Sequence, residues 1–413
     1  MLQARRDVKS ERRGAAGRAQ SRIAPLAYDH AMTPSGASKS RPPAGGSAGH
    51  VGRDLAGGDP AGAVRRVTLA DVARLAGVSQ TTASFVLSGR REEMRISAQV
   101  EAKILRAVQE TGYRPNVVSR SLRTGATHTI GFVSDTVATT PFAGHLIWGA
   151  LDAAREQDRL LLIAETEGDP ALETQMIETM LDRQVEGIVV ASMYTRRANV
   201  PRPLLGGPSV MLNVLPAKSS VVPSVIPDEA EAGRAAARLL LEAGHQEGIY
   251  VVGVGVDPVR TPKGSVAASQ RLLGIEGELA SAGIALSGGV FLGDWQPTGG
   301  YDATKQILTR KPSARALICF NDRVSFGAYQ ALEDAGLKVA RDVSVVSFDD
   351  EPVASWLRPG LTSVALPHYE LGRKAIEVLL ALDVDSVPGT VHRVEMPVRY
   401  RESVGHVESL TVS

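Results

Sequence analysis

The 413-residue chain contains one cysteine, only 4% aromatic residues and no apolar run near the roughly 18 residues that a membrane span needs. A lone cysteine excludes an intramolecular disulfide and any cysteine-based zinc cluster. Cys319 sits in the apolar run "ALICF", which suits a packed core thiol rather than a nucleophile. Arg occurs early at the N-terminus, but no apolar stretch of signal-peptide kind follows it, so export is not expected and a reducing, cytoplasmic setting fits best. Catalytic signatures are scarce too. There is no nucleophile elbow, phosphate loop or metal-ligand run, and the eight His are scattered. Asp349 and Asp350 are adjacent, so they cannot flank a glycosidic bond as paired carboxylates must. Neither an enzyme nor a cofactor or metal site is expected.

What is present is enough apolar material, 43% of residues, for more than one core, and a length that suggests two to three domains. The net charge of +1 conceals an asymmetry. Residues 1–64 carry ten Lys/Arg against five Asp/Glu and residues 65–123 carry eleven against five, leaving 25 basic and 35 acidic groups for the other 290 residues. A basic end on a separable module suits a polyanion, because neutralising phosphates releases counterions. Residues 1–64 are rich in Ala, Gly, Ser and Pro without helical or strand period, and read as a disordered basic tail.

Order is expected to begin at "VTLADVARLAGVSQTTASFVLSGR", residues 67–90. Thr68 can cap a helix whose third position is Asp71, with Leu69, Val72, Ala73 and Ala76 at helical spacing and Gly77 as its stop. Ser79 can cap a second helix after a short turn, with Val78 packing against it from outside. In that helix Ala83, Val86 and Leu87 form an apolar face, and Thr81, Ser84, Phe85 and Ser88 form the other. Such a pair is a helix-turn-helix, whose second helix can enter a DNA major groove. A third helix, about Ser97 to Thr111, is amphipathic through Val100, Ile104, Leu105 and Val108 and ends at "TGYRPN". "NVVSRSLRTG" offers one more short helix, with too few apolar residues to fold alone.

Beyond residue 126 short buried strands ("TIGFV", "RLLLIAET", "EGIVVAS", "GIYVVGV", "ALICF", "VSVVSF") alternate with amphipathic helices, the pattern of parallel sheets covered on both faces. Ligands in such sheets sit beyond the carboxyl ends of strands. Asn213, Asp294, Trp295, Asn321, Asp322, Asp349 and Asp350 follow strands there, although each is equally a loop cap or turn former.

From Val67 onward the sequence resembles the LacI/GalR family of bacterial transcription regulators. The motifs "TLADVARLAGVSQTTASFVLSG", "TGYRPNVVSRSL", "TIGFV", "VEGIVVAS", "EAGHQEGIYVVG", "ICFNDRVSFGAYQALEDAGL" and "DVSVVSFDD" carry the resemblance in family order. It implies an all-α helix-turn-helix domain (65–114), a hinge helix and linker (115–126), and an α/β periplasmic-binding-protein-like core of two doubly wound parallel-sheet subdomains (127–413). The implied protein is a homodimer, or a tetramer, that binds a palindromic double-stranded operator in the nucleoid and responds to a small, sugar-like effector. A transporter's solute-binding protein shares the cleft, but lacks the segment 67–123.

For DNA, the resemblance implies backbone contacts from Thr68, Ser79, Thr82, Ser84, Asn116 and Ser119, with hydroxyls and helix-end amides suited to phosphate oxygens. Thr81 and Phe85 would face base edges, Gln80 would lead the helix into the groove, and Leu122 would wedge into the minor groove. Phe85 cannot donate a hydrogen bond; it either meets a thymine methyl or turns inward. For the effector, Arg271 would hold a hydroxyl or carboxylate, or pair with Asp349. Asn321 and Asp349 would bond hydroxyls, Trp295 would stack on an apolar face, Phe142 would close the cleft, and Asn213 stands where a family sugar-binder can carry Asp. "VIPDEAEAG" departs from a frequent "DN", so the equivalent Asp is lost at Pro227 or displaced to Asp228.

Overall fold

The computed structural model describes residues 67–114, 126–140, 143–256, 265–310, 313–382 and 389–407. The tail 1–64, the hinge positions Asn116, Ser119 and Leu122, and the cleft-closing Phe142 lie outside the described residues.

Three helices open the structure: α1 (Leu69–Ala76), α2 (Gln80–Leu87) and α3 (Ala98–Thr111). Local chemistry fixes their ends. Thr68 and Asp71 form a reciprocal capping box, Gly77 ends α1 at φ 67°, and Ser79 Oγ accepts from Thr82 N at 3.0 Å. Val72, Ala73, Ala83, Val86, Ile104 and Ala107 form a small core, with Val78 packed against it as the sequence suggests. Leu105 is instead 46% exposed, because the buried stripe of α3 runs through Ile104 and Ala107. Full burial of each large apolar side chain contributes about 1.5–3 kcal/mol, so Ile104 and Val72 anchor this minimal core.

The remainder forms two six-stranded sheets. The first has the order β11-β5-β4-β3-β1-β2, with β1 (Thr129–Ser134), β2 (Leu160–Glu165), β3 (Gly187–Ala198), β4 (Ser209–Pro216), β5 (Ser224–Pro227) and β11 (Val391–Val394), all parallel. The second has the order β12-β10-β9-β8-β6-β7, with β6 (Ile249–Gly253), β7 (Gly288–Phe291), β8 (Ala316–Cys319), β9 (Ser344–Asp349), β10 (Thr362–Ala365) and β12 (Val398–Arg399). Only β12 runs antiparallel, at an edge. Near-continuous apolar runs such as "ALIC" are fully buried, as strands covered on both faces require. Cys319 lies in one, and burial pushes its thiol pKa up to about 12, so it is an inert packing group.

Helices α4 (Gly144–Glu156) and α5 (Pro170–Asp182) cover the first sheet; α6 (Glu229–Glu242), α7 (Val266–Ser281), α8 (Pro297–Arg310), α9 (Asp322–Asp334) and the short α10 (Pro352–Trp356) belong to the second subdomain. Helix α11 (His368–Leu380) returns to the first subdomain, burying Leu371, Ala375 and Ile376 with Ile130 and Phe132. The chain thus passes between subdomains three times, after β5, after β10 and after β11. Each passage carries a proline: Pro227, Pro367 and Pro397. They are tied together, since Asp228 N donates to Val394 O at 2.8 Å and Ala365 N donates to Pro397 O at 2.8 Å.

Candidate functional site

Helix α2 presents "QTTASFVL", without a charged side chain. Ala83 and Val86 face the core, whereas Gln80 and Thr81 are exposed and Thr82, Ser84 and Phe85 are half-buried. Thr68 and Ser79 spend their hydroxyls on helix caps, and Ser79 Oγ also lies 2.8 Å from Thr82 Oγ1. Phe85 does not join the apolar cluster of this module; its ring lies 5.3 Å from the Arg90 guanidinium carbon.

A second site lies between the two sheets, a cavity of about 410 Å³. From the first subdomain it receives Met193, Tyr194, Thr195 and Asn213, and the origin of that wall is a backbone irregularity. Strands β3 and β4 pair up to Ala191/Leu212 and resume at Arg196/Val214, so residues 192–195 stand opposite the single residue Asn213. Asn213 has φ 57°, and its Nδ2 donates to Ser192 O at 3.0 Å. Its Oδ1, and the Oγ1 of Thr195, are buried without a hydrogen-bond partner. Both residues are only 2% exposed. A buried polar atom left unpaired costs about 1–3 kcal/mol, which sets these two atoms apart from the paired groups around them. Beyond the bulge, Arg196 makes an isolated bridge with Ser265, the N-cap residue of α7.

The second subdomain contributes Arg271, Trp295, Asp349 and, beside them, Glu229 at the start of α6. Arg271 Nε donates to Glu229 Oε2 at 2.5 Å and its Nη2 reaches Glu229 Oε1 at 3.4 Å. The same Nη2 donates to Asp349 Oδ1 at 3.1 Å, and Nη1 donates to Phe320 O at 2.8 Å. The guanidinium also lies 4.5 Å from the Phe348 ring centre. Burial alone disfavours the Arg271 charge, but the carboxylates of Glu229 and Asp349 outweigh it and hold its pKa above the ordinary arginine value.

Two helices bring this pair together. Helices α6 and α7 cross in backbone contact, where a Cβ on Gly233 would stand 2.1 Å from Arg271 O and one on Gly274 2.0 Å from Ala230 O. Trp295 Nε1 donates to Gly253 O at 3.1 Å, which orients the indole along the cavity rim. Asp349, at φ 99°, ends β9 in a left-handed conformation. Asn213 and Asp349 are thus both non-glycine residues held in a sparsely populated region, which clusters at ligand sites.

Among the residues expected at the effector site, Asn213, Arg271, Trp295 and Asp349 line one cavity. Asn321 is placed differently. It caps α9, with Oδ1 accepting from Val324 N at 2.8 Å and Nδ2 donating to Trp295 O at 3.2 Å, so it holds Trp295 in position. Asp228 caps α6 by accepting from Glu231 N at 3.3 Å. Sequence reasoning missed Thr195 and Glu229. Glu229 sits in an acidic first turn, where a carboxylate is unremarkable; a bulge leaves no sequence period to reveal Thr195.

A helix-turn-helix module followed by a two-subdomain cleft defines a ligand-responsive, DNA-binding transcription regulator. The profile of bacterial regulatory proteins of the lacI family matches residues 68–116, and that of periplasmic binding proteins and the sugar binding domain of the LacI family matches residues 127–394. The chain belongs to the LacI family. It is 32% identical over 317 residues to the ribose operon repressor of Escherichia coli strain K12, covering 76% of this chain and 92% of that one. Among solved structures, it is similar to a lac repressor dimer bound to operator and the anti-inducer ONPF, with TM-score 0.68 and 25% identity over 82% of this chain and 99% of that one. A complex of the transcriptional regulator CelR with cellobiose has TM-score 0.56 and 26% identity over 82% of this chain and all of that one. Among the described residues, no helix is long and apolar enough to cross a membrane.

Proposed function

We propose that the protein is a non-enzymatic, homodimeric repressor of the cytoplasm and nucleoid, whose grip on a palindromic operator changes when a sugar-like molecule enters the cleft. The observation that carries this reading is the pair of buried, unpartnered acceptors, Asn213 Oδ1 and Thr195 Oγ1, in a cavity walled on its other side by Trp295 and the Arg271 network. A molecule bearing hydroxyls supplies the missing donors, and its apolar face meets the indole. The ribose, cellobiose and operator in the names of similar proteins agree with this chemistry.

On DNA, Gln80, Thr81 and Phe85 face base edges, Phe85 through a thymine methyl, while Thr68, Ser79, Thr82, Ser84, Asn116 and Ser119 contact the backbone and Leu122 wedges the minor groove. The effector shifts operator affinity only as far as it favours one subdomain arrangement over the other. Selection of binding sites from random duplexes, followed by titration at several salt concentrations, tests the reading. The expected result is a palindromic site whose affinity falls steeply with salt and changes in the presence of a stabilising sugar. Absence of any duplex binding by the full chain would favour a solute-binding role instead.

A further inference from the structure

We infer that the effector is uncharged and rich in hydroxyls, and that Glu229 enforces this by occupying the guanidinium edge of Arg271 that an anionic ligand would need. The inference rests on the small-molecule reading of the cleft. Arg271 is the one cationic side chain among the described residues lining the cavity. Four donor contacts from its guanidinium end on protein acceptors: two on Glu229, one on Asp349 and one on Phe320 O. With Glu229 ionised, the trio of Glu229, Arg271 and Asp349 sums to −1; with it protonated, to zero. In neither state do these residues offer an unbalanced positive charge to a phosphate or carboxylate.

Displacing Glu229 is not a cheap alternative. Its helix is held against the helix of Arg271 by the Gly233 and Gly274 crossing, and the carboxylate is 1% exposed, so a ligand anion replacing it would leave Glu229 buried without its partner. The opposite wall points the same way. Asn213 Oδ1 can only accept, and one of its two Nδ2 hydrogens is already donated to Ser192 O. A ligand that brings donors and no charge satisfies that wall without disturbing the other.

The test uses the full chain and paired probes: D-ribose, D-glucose and cellobiose against ribose 5-phosphate, glucose 6-phosphate and cellobionate, each titrated while Tm is followed. In the wild type, at least one neutral probe raises Tm and its anionic counterpart binds at least about 30-fold more weakly. Glu229→Gln keeps the side-chain shape and removes the competing charge, so the neutral-to-anionic preference falls about tenfold. Thr195→Val serves as the second variant: it weakens the neutral probe while leaving that preference unchanged. Equal or tighter binding of an anionic probe by the wild type overturns the charge rule but leaves the small-molecule reading intact. An unchanged preference in a folded Glu229→Gln protein overturns the role of Glu229. If none of the six probes raises Tm, the sugar-class reading fails and the inference fails with it.

Discussion

The two walls of the cleft solve opposite problems. The wall from the first subdomain is uncharged and holds two buried polar atoms with no partner, Asn213 Oδ1 and Thr195 Oγ1. The wall from the second subdomain is ionic and closed on itself, with Arg271 between Glu229 and Asp349. One wall leaves two polar atoms unbonded; the other pairs its charged groups within the protein. Substitutions on the two sides should therefore have different signatures.

The sharpest contrast comes from Arg271→Met. It leaves Glu229 buried without its cation, which should cost about 3–5 kcal/mol in urea unfolding of the full chain. A loss below about 1 kcal/mol would mean that the second wall is not closed on itself. Next comes Gly233→Ala, whose new methyl meets the Arg271 carbonyl and forces the two helices apart. An overpacking cost of about 1–3 kcal/mol is expected, together with a reduced preference for neutral over anionic sugars.

Behind the ionic wall, Asp322, whose carboxyl feels the Asp349 charge, should make stability depend on pH. Burial raises Asp322 to about 8, with Asp349 adding repulsion and the hydrogen bonds from Ser363 Oγ and Glu351 N opposing the rise. A carboxyl that binds its proton more tightly folded than unfolded stabilises the fold below its unfolded value near 3.8, and this contribution is lost as pH rises through about 8. Unfolding midpoints should therefore decline between about pH 4 and 8 and level off above it, and Asp322→Asn should flatten that slope relative to wild type. An identical slope in the variant would assign the decline to other groups. The smallest effect on stability is expected for Thr195→Val. Removing an orphan hydroxyl should change it by about 1 kcal/mol or less in either direction, visible only as a small shift in urea midpoint, while the neutral sugar's Tm shift shrinks.

Much of this architecture is readable from sequence because it rests on local rules. Thr68 with Asp71, Ser79 with its helix, and the Gly77 stop are dictated by neighbours within four residues. The alternation of strands and helices beyond residue 126 is equally plain. It does not tell which sheet each element joins, so nothing in "PHYELGRKAIEVLL" reveals that α11 turns back to the first subdomain. Leu105 lies one position off the buried stripe, a distinction that a periodic pattern resolves only when the packing partner is known. The cleft divides in the same way. Arg271, Trp295 and Asp349 are legible from their motifs, whereas Asn321 acts as a cap that supports Trp295, and Glu229 depends on a helix crossing far apart in sequence. Phe85 lies beside Arg90 in a helix without charge, where sequence alone leaves its direction open.

The three proline-bearing passages between the subdomains have a mechanical consequence. Each proline locks one backbone torsion and offers no amide hydrogen, and the segments are laced together by Asp228 with Val394 and by Ala365 with Pro397. Three stiff, mutually bonded links along one edge oppose sliding and stretching and leave a swing about that edge as the soft motion. On the proposed reading, a molecule that draws the two walls together would turn one subdomain about that edge, and the far ends would travel further than the atoms that touch it.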